Sequence, residues 1–211
     1  MKKWTTFFTA LTIAGSVAHG QQRVVAECTI NYSIAADEGS ADKDIAASLN
    51  ATTKTVYIKA NDCRNDLVSP SFKQSVIYNK SNGTATILRE FGNNKFMTQM
   101  DNARWVAENK KYEGMKFAAA PGSKTILGYD CRKATMQLTD GSIYTLYYAT
   151  GIIPSVKEFE YQFRDVPGFV LEYEAQDAAG KKIKYTATKI NLSPVQASKF
   201  DIPTTGYRLL N

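Results

Sequence analysis

The chain has 211 residues, 44% of them hydrophobic, with a formal net charge of +6 spread along its length. Doublets such as Lys110-Lys111 and Lys181-Lys182 are ordinary solvated surface, whereas a nucleic-acid interface needs a basic stripe on one face with stacking aromatics, so nucleic acid is not an expected partner. The single histidine is His19. Everything after it lacks the commonest general base, the usual helper of a Ser or Cys nucleophile and the commonest ligand of catalytic zinc; a non-enzymatic protein with no cofactor or metal is expected.

Residues 1–22 read as an export signal. Lys2 and Lys3 form a basic start, an apolar stretch covers 7–17, and Ala18-His19-Gly20 supplies small residues at alternate positions. The stretch is shorter than the ~20 residues that cross a bilayer, so stable membrane insertion is not expected. Residues 23–211 then make a single β-rich domain, exported to the periplasm or the extracellular space. Removing the signal takes two lysines and no acid, so the net charge falls from +6 to +4. No linker divides the rest, and a chain of this length buries most of its apolar surface as one unit.

After the signal, apolar and polar residues alternate, with β-branched and aromatic types enriched. The pattern predicts eleven strands over 25–35, 54–60, 63–69, 74–78, 85–91, 95–100, 115–119, 124–138, 143–149, 168–176 and 181–190. Asn82-Gly83 and Asp140-Gly141 mark tight hairpins. The insert 36–53 reads as a loop with partial helical character; its acids Asp37, Glu38, Asp42 and Asp44 lack the ordered spacing of a calcium loop and read as solvated surface. One segment, 102–112, is helical in character, with Asp101 as N-cap, Gly114 as stop, and Trp105 and Tyr112 on one face. Trp105 is expected to point inward, since leaving it in water would forfeit about 2 to 3 kcal/mol. In the last hairpin, alternation predicts Glu174 opposite Lys182 and Glu172 opposite Lys184, with Tyr173 opposite Ile183 and Leu171 opposite Tyr185, so that one face is charged and the other apolar. Gly168 is expected to serve a turn or bulge entering that hairpin.

Three cysteines in an oxidising compartment allow one disulfide. Cys28 shares its side with Ile30, Tyr32 and Ile34 and reads as core, which leaves Cys63 and Cys131, each followed by Arg, as the expected bridge. Glu158 and Glu160, like Glu172 and Glu174, are spaced two apart, as on one side of a strand. Glycosidases draw their two carboxylates from separate strands or loops facing across a cleft, so these pairs read as half-exposed strand residues.

The C-terminal half carries a resemblance. The runs TILGYDCRKATMQL, IYTLYYATGIIP, VPGFVLEYE and FDIPTTGYRLL follow one another in an order similar to that of an exported family of unknown function, frequent in Bacteroidetes and related to the proteins named after a GLPGLI signature. That signature corresponds here to Val166-Pro167-Gly168-Phe169-Val170, followed by Leu171-Glu172-Tyr173, and departs from the namesake at its first two and last two letters. The run VYIKANDCRNDLVS resembles the family's strand, turn and Arg-bearing strand. In fold the family resembles the periplasmic lipoprotein carriers of the Lol system. The resemblance implies a single curved antiparallel sheet, an open, unclosed barrel wrapped around an inserted helix, with an apolar cavity.

Two functions follow. The first is an exported binding protein that holds a lipid, acyl chain or lipidated peptide against Val56, Ile58, Ile87, Leu88, Trp105, Tyr129, Met136, Tyr144, Leu146 and Tyr148. The second is a structural or interaction protein of the cell envelope whose barrel is filled. A continuous apolar void of ~300 Å³ or more separates the first from the second.

Overall fold

The computed structural model describes residues 22–36, 43–176 and 182–210. The expected export signal up to residue 21, the loop acids Asp37, Glu38 and Asp42, and residues 177–181 lie outside the described residues. The strands are β1 (Arg23–Val25), β2 (Glu27–Ala36), β3 (Thr53–Lys59), β4 (Asp62–Val68), β5 (Lys73–Asn79), β6 (Thr84–Phe91), β7 (Asn94–Met100), β8 (Lys116–Ile126), β9 (Tyr129–Gln137), β10 (Ile143–Ala149), β11 (Ile152–Pro154), β12 (Phe169–Gln176), β13 (Lys182–Asn191) and β14 (Arg208–Leu210). Helix α1 (Lys43–Asn50) follows β2, and α2 (Asn102–Glu108) follows β7.

Twelve strands form one sheet in the order β14-β7-β6-β5-β4-β3-β2-β13-β12-β10-β9-β8, and β1 pairs with β11 beside it. Two antiparallel meanders, one from each half of the chain, join where β2 pairs with β13. The end strands β14 and β8 do not pair with each other, so the sheet is not closed into a barrel. Its curvature follows from the connection 101–115. That connection links β7 to β8, which lie ten strand spacings apart in the sheet, about 48 Å if the sheet were flat. Most of those residues are helical or in 3-10 turns and advance only about 1.5 to 2 Å each, so the sheet must curl and the connection must cross its concave side.

Alternation along the strands sorts the two faces. One concave row runs Cys28, Ile58, Cys63, Tyr78, Ala85, Met100 across six neighbouring strands, and every member is buried. On the convex face Ser75, Ile77, Thr86 and Leu88 are also buried, because the segment after β13 crosses them. Arg64 Nη1 donates to the Lys199 carbonyl at 2.8 Å, and the Tyr207 hydroxyl donates to Glu90 Oε1 at 2.7 Å. This strap ends as β14, parallel to β7.

Several expectations need correction. The stretch 124–138 is not one strand: Ile126 pairs with Tyr129 around a turn at Leu127-Gly128, with Leu127 at φ 52°. The apolar Ile-Leu hides this turn, since Leu is uncommon in that conformation. Residues 116–119 and 124–126 belong instead to the single strand β8, whose irregularity between Ala119 and Ser123 absorbs Pro121 and Gly122. The last hairpin is offset by two residues from the expected register, with Glu174 opposite Lys184, Glu172 opposite Thr186 and Tyr173 opposite Tyr185. An even offset keeps the charged and apolar faces intact; it lets Tyr173 stack on Tyr185 at 4.7 Å and 3°. Glu174 still reaches Lys182 diagonally at 3.2 Å, while Glu172 pairs with Lys124 of β8 at 2.6 Å.

No disulfide joins Cys63 to Cys131. All three cysteines are buried free thiols, and Cys63 on β4 is separated from Cys131 on β9 by five intervening strands. Elimination misled because Cys63 and Cys131 are core residues just as Cys28 is.

Candidate functional site

Two segments fill the concave side. The first is the connection 101–115. Asp101 caps α2 by accepting from the Arg104 amide at 2.8 Å, and the chain leaves through a 3-10 turn, Lys110–Tyr112, that ends before Gly114 at φ 71°. Trp105 is buried and meets Tyr78 at 5.8 Å and Tyr161 at 6.2 Å. The second segment, 155–168, joins β11 to β12 through two 3-10 turns, Lys157–Phe159 and Tyr161–Phe163, and buries Val156, Phe159, Phe163 and Val166. Phe159 packs on Phe163 and Phe169, and Phe163 on Tyr173. Glu158 and Glu160 therefore stand in a plug inside the sheet and not on a half-exposed strand. The aromatic spacing of 159, 161, 163 mimics strand alternation, which is why the sequence misleads here.

Tight turns leave polar groups facing the interior, and a charged cluster answers part of them. Lys54, buried on β3, pairs with Glu160 and donates to the Tyr173 hydroxyl at 2.7 Å. Its ammonium also sits 5.4 Å and 5.0 Å from the ring centroids of Tyr173 and Tyr185. Asn65 donates to Glu160 Oε1 at 2.7 Å and Gln162 to Glu160 Oε2 at 3.3 Å. Desolvating two charges is costly, and the extra hydrogen bonds offset it. A second cluster ties the plug to the helical connection: Arg164 donates to both oxygens of Glu113, at 2.6 and 3.1 Å, and the Tyr161 hydroxyl donates to Glu113 as well. These bonds hold the Glu113 carboxyl far below its ordinary value, at about 2.

Among the described residues, two spaces touch both fillings. The larger, 270 Å³, lies at the ends of β9, β10 and β12; Tyr112, Met136, Leu138, Tyr144 and Ala175 give it apolar walls, and Lys111, Asp140, Gln162 and Glu174 polar ones. The smaller, 120 Å³, lies under α2 against the plug, and Tyr112 and Gln162 line both. Of the residues expected to hold a ligand, Met136 and Tyr144 line the larger space and Trp105 the smaller. Val56, Ile58, Ile87, Leu146 and Tyr148 are buried core residues lining neither, and Tyr129 packs partly buried against that core. Leu88 cannot share a pocket with Ile87: it lies on the convex face beneath the strap, because neighbours along a strand point oppositely. Gln162 and Glu158 went unrecognised because nothing local in the sequence shows that 155–168 folds inward; Tyr112, placed on the Trp105 face by the sequence, was not named among the ligand residues.

A structure of PNGF-II is similar, with a TM-score of 0.50 and 13% identity over 88% of this chain and 32% of that one. The similarity is one of fold. This chain spans about a third of the PNGF-II chain. MucB in complex with MucA(peri) matches at a TM-score of 0.42 and 12% identity, over 84% of this chain and 54% of that one. A LolA superfamily protein, NE2245 from Nitrosomonas europaea, matches at 0.33 and 12%, over 84% and 91%. No family model matches the sequence, and no curated protein does. Among the described residues no helix is long and apolar enough to cross a membrane, and no group of three or more His, Cys, Asp or Glu is placed to hold a metal ion.

Proposed function

We propose that this protein is an exported, non-enzymatic binding module that takes one small amphipathic ligand, such as a single acyl chain or the lipidated end of a peptide, into the 270 Å³ space. The observation that carries the reading is the make-up of that space: apolar walls from Tyr112, Met136, Leu138, Tyr144 and Ala175, beside the charges of Lys111, Asp140 and Glu174. An apolar inner wall with a few convergent polar groups is the usual form of a ligand site, and this volume lies just below the range of such sites, which starts at about 300 Å³. A two-chain lipid does not suit it. Export rests on the signal-like residues 1–22, and the kinship with GLPGLI-signature proteins on the order of the C-terminal motifs.

The second reading, an interaction protein with a filled barrel, is favoured by the plug 155–168, which occupies the concave side where the Lol-type resemblance implies a cavity. One experiment decides between them. Protein purified gently from an exporting host is weighed by native mass spectrometry, alongside Ala175→Phe, which narrows the larger space. A bound mass that the variant loses supports the binding module. A bare chain that also fails to take up a fluorescent fatty acid transfers the case to the filled barrel.

A further inference from the structure

We propose that the smaller chamber is a site for an organic cation, a quaternary or primary ammonium on a short hydroxyalkyl arm. Its walls include Tyr78, Trp105, Tyr112 and Tyr161. Tyr78 stacks beside Trp105 at 29°, Tyr161 meets Trp105 edge-on at 77°, and Tyr112 lies 6.3 Å from Tyr161. Arg164 lies over one face of Tyr161 at 4.7 Å and Lys111 over one face of Tyr112 at 4.8 Å; rings set at such different angles around one small space turn other π faces toward it, and a cation within ~6 Å of a ring centroid is attracted by each.

The polar groups select the charge. Of the two carboxylates lining the chamber, Glu160 already has Lys54, Asn65 and Gln162 as partners. Glu158 has no ion pair among the described residues, and its Oε2 is buried without a hydrogen-bond partner. Trp105 is nine-tenths buried and its indole N–H also lacks an acceptor. An ammonium answers Glu158 and a hydroxyl or ester oxygen on the same ligand answers Trp105, whereas a hydrocarbon leaves both unpaired and an anion meets two carboxylates and several π faces. The negative field reaches the neighbours, since Glu158 helps to push up the Tyr78 hydroxyl after burial itself. A space of 120 Å³ corresponds to about four water molecules at liquid density, the size of a choline or ethanolamine group. This chemistry does not depend on what fills the larger space, so it stands or falls apart from the acyl-chain reading.

Trp105 can report on its own site. The chain has two tryptophans, so the full-length protein with Trp4→Phe carries Trp105 as its sole indole. Choline and ethanolamine are expected to shift its emission saturably in constant ionic strength, and the neutral carbon analogue of choline, dimethylbutanol, to bind roughly tenfold more weakly or less. Glu158→Gln should weaken choline by a similar factor with an unchanged far-UV circular dichroism spectrum, while Asp140→Asn, in the larger space, should not. If Glu158→Gln fails to fold, the half-buried Tyr112→Leu removes one ring face and should weaken choline in its place. Phosphatidylcholine vesicles that reproduce the choline response identify a lipid headgroup as the source of the cation, and vesicles that do not identify the free amino alcohol. Absence of any saturable response to choline, ethanolamine or the vesicles, equal binding of the neutral analogue, or a folded Glu158→Gln that binds choline as wild type does, overturns the proposal.

Discussion

Cys28 and Cys63 both pair with Ile58 across β3, and Cys131 lies in the other meander. Burial pushes the Cys28 thiol up to about 12 and Cys131 to about 11, and raises Cys63 as well. Thiolate is the reactive form, so none of the three should react with Ellman's reagent in the native protein, and all three should react in denaturant without added reductant; fewer than three would mean a bridge. Gly168 carries a different constraint. A Cβ there would come 2.2 Å from the Ala149 carbonyl and 2.7 Å from the Tyr148 ring, next to the register shift between Tyr147 and Tyr148 in β10. Gly168→Ala should therefore lower stability by about 1 to 3 kcal/mol, read from the urea midpoint. The Cys28 side and the Asp101 cap were legible because alternation and capping are local patterns. The partners of Cys63 and the close approach at Gly168 were not, since each depends on a strand distant in sequence.

Among the elements, α2 and the plug act together. Trp105 of α2 has ring partners on β5 and on the plug, so Trp105→Ala leaves a hole between two packed surfaces and should cost about 3 to 5 kcal/mol in chemical denaturation. The Glu113 to Arg164 contact adds a pH dependence of known sign. A carboxyl held at about 2 rather than the ordinary 4.5 contributes its full stabilisation above pH 4.5 and loses it as the pH falls toward 2. Glu113 is nearly half exposed, so the contribution is at most about 1 kcal/mol. Acid unfolding followed by Trp105 emission should show wild type more stable than Glu113→Gln near pH 6, with the gap closing between pH 4.5 and 2; a constant gap would refute the assignment. The helix and ten of the eleven expected strands were readable from periodicity. The 3-10 turns of the plug were not, because 159, 161 and 163 satisfy period two while the backbone does something else.

At the scale of the molecule, both meanders meet at β2 and β13 and share one interior: the core joins Tyr78 and Met100 of the first to Leu146 and Tyr173 of the second. Neither meander has a complete core alone. Unfolding in urea should thus be a single transition, with far-UV circular dichroism and Trp105 emission coincident; separated midpoints would show that the halves are independent. The antiparallel sheet class follows from alternation and turns, but the filling of its concave side follows from the β7 to β8 connection, a long-range fact of topology. The strap has a consequence for synthesis. Residues 192–210 shield Ile77 and Leu88 and pair with the edge of β7, all made long before them. A nascent chain thus carries an uncovered greasy patch and a bare strand edge until residues 192–210 have emerged, and a chain cut short at 191 would present both to its neighbours, the conditions under which sheets join edge to edge and precipitate.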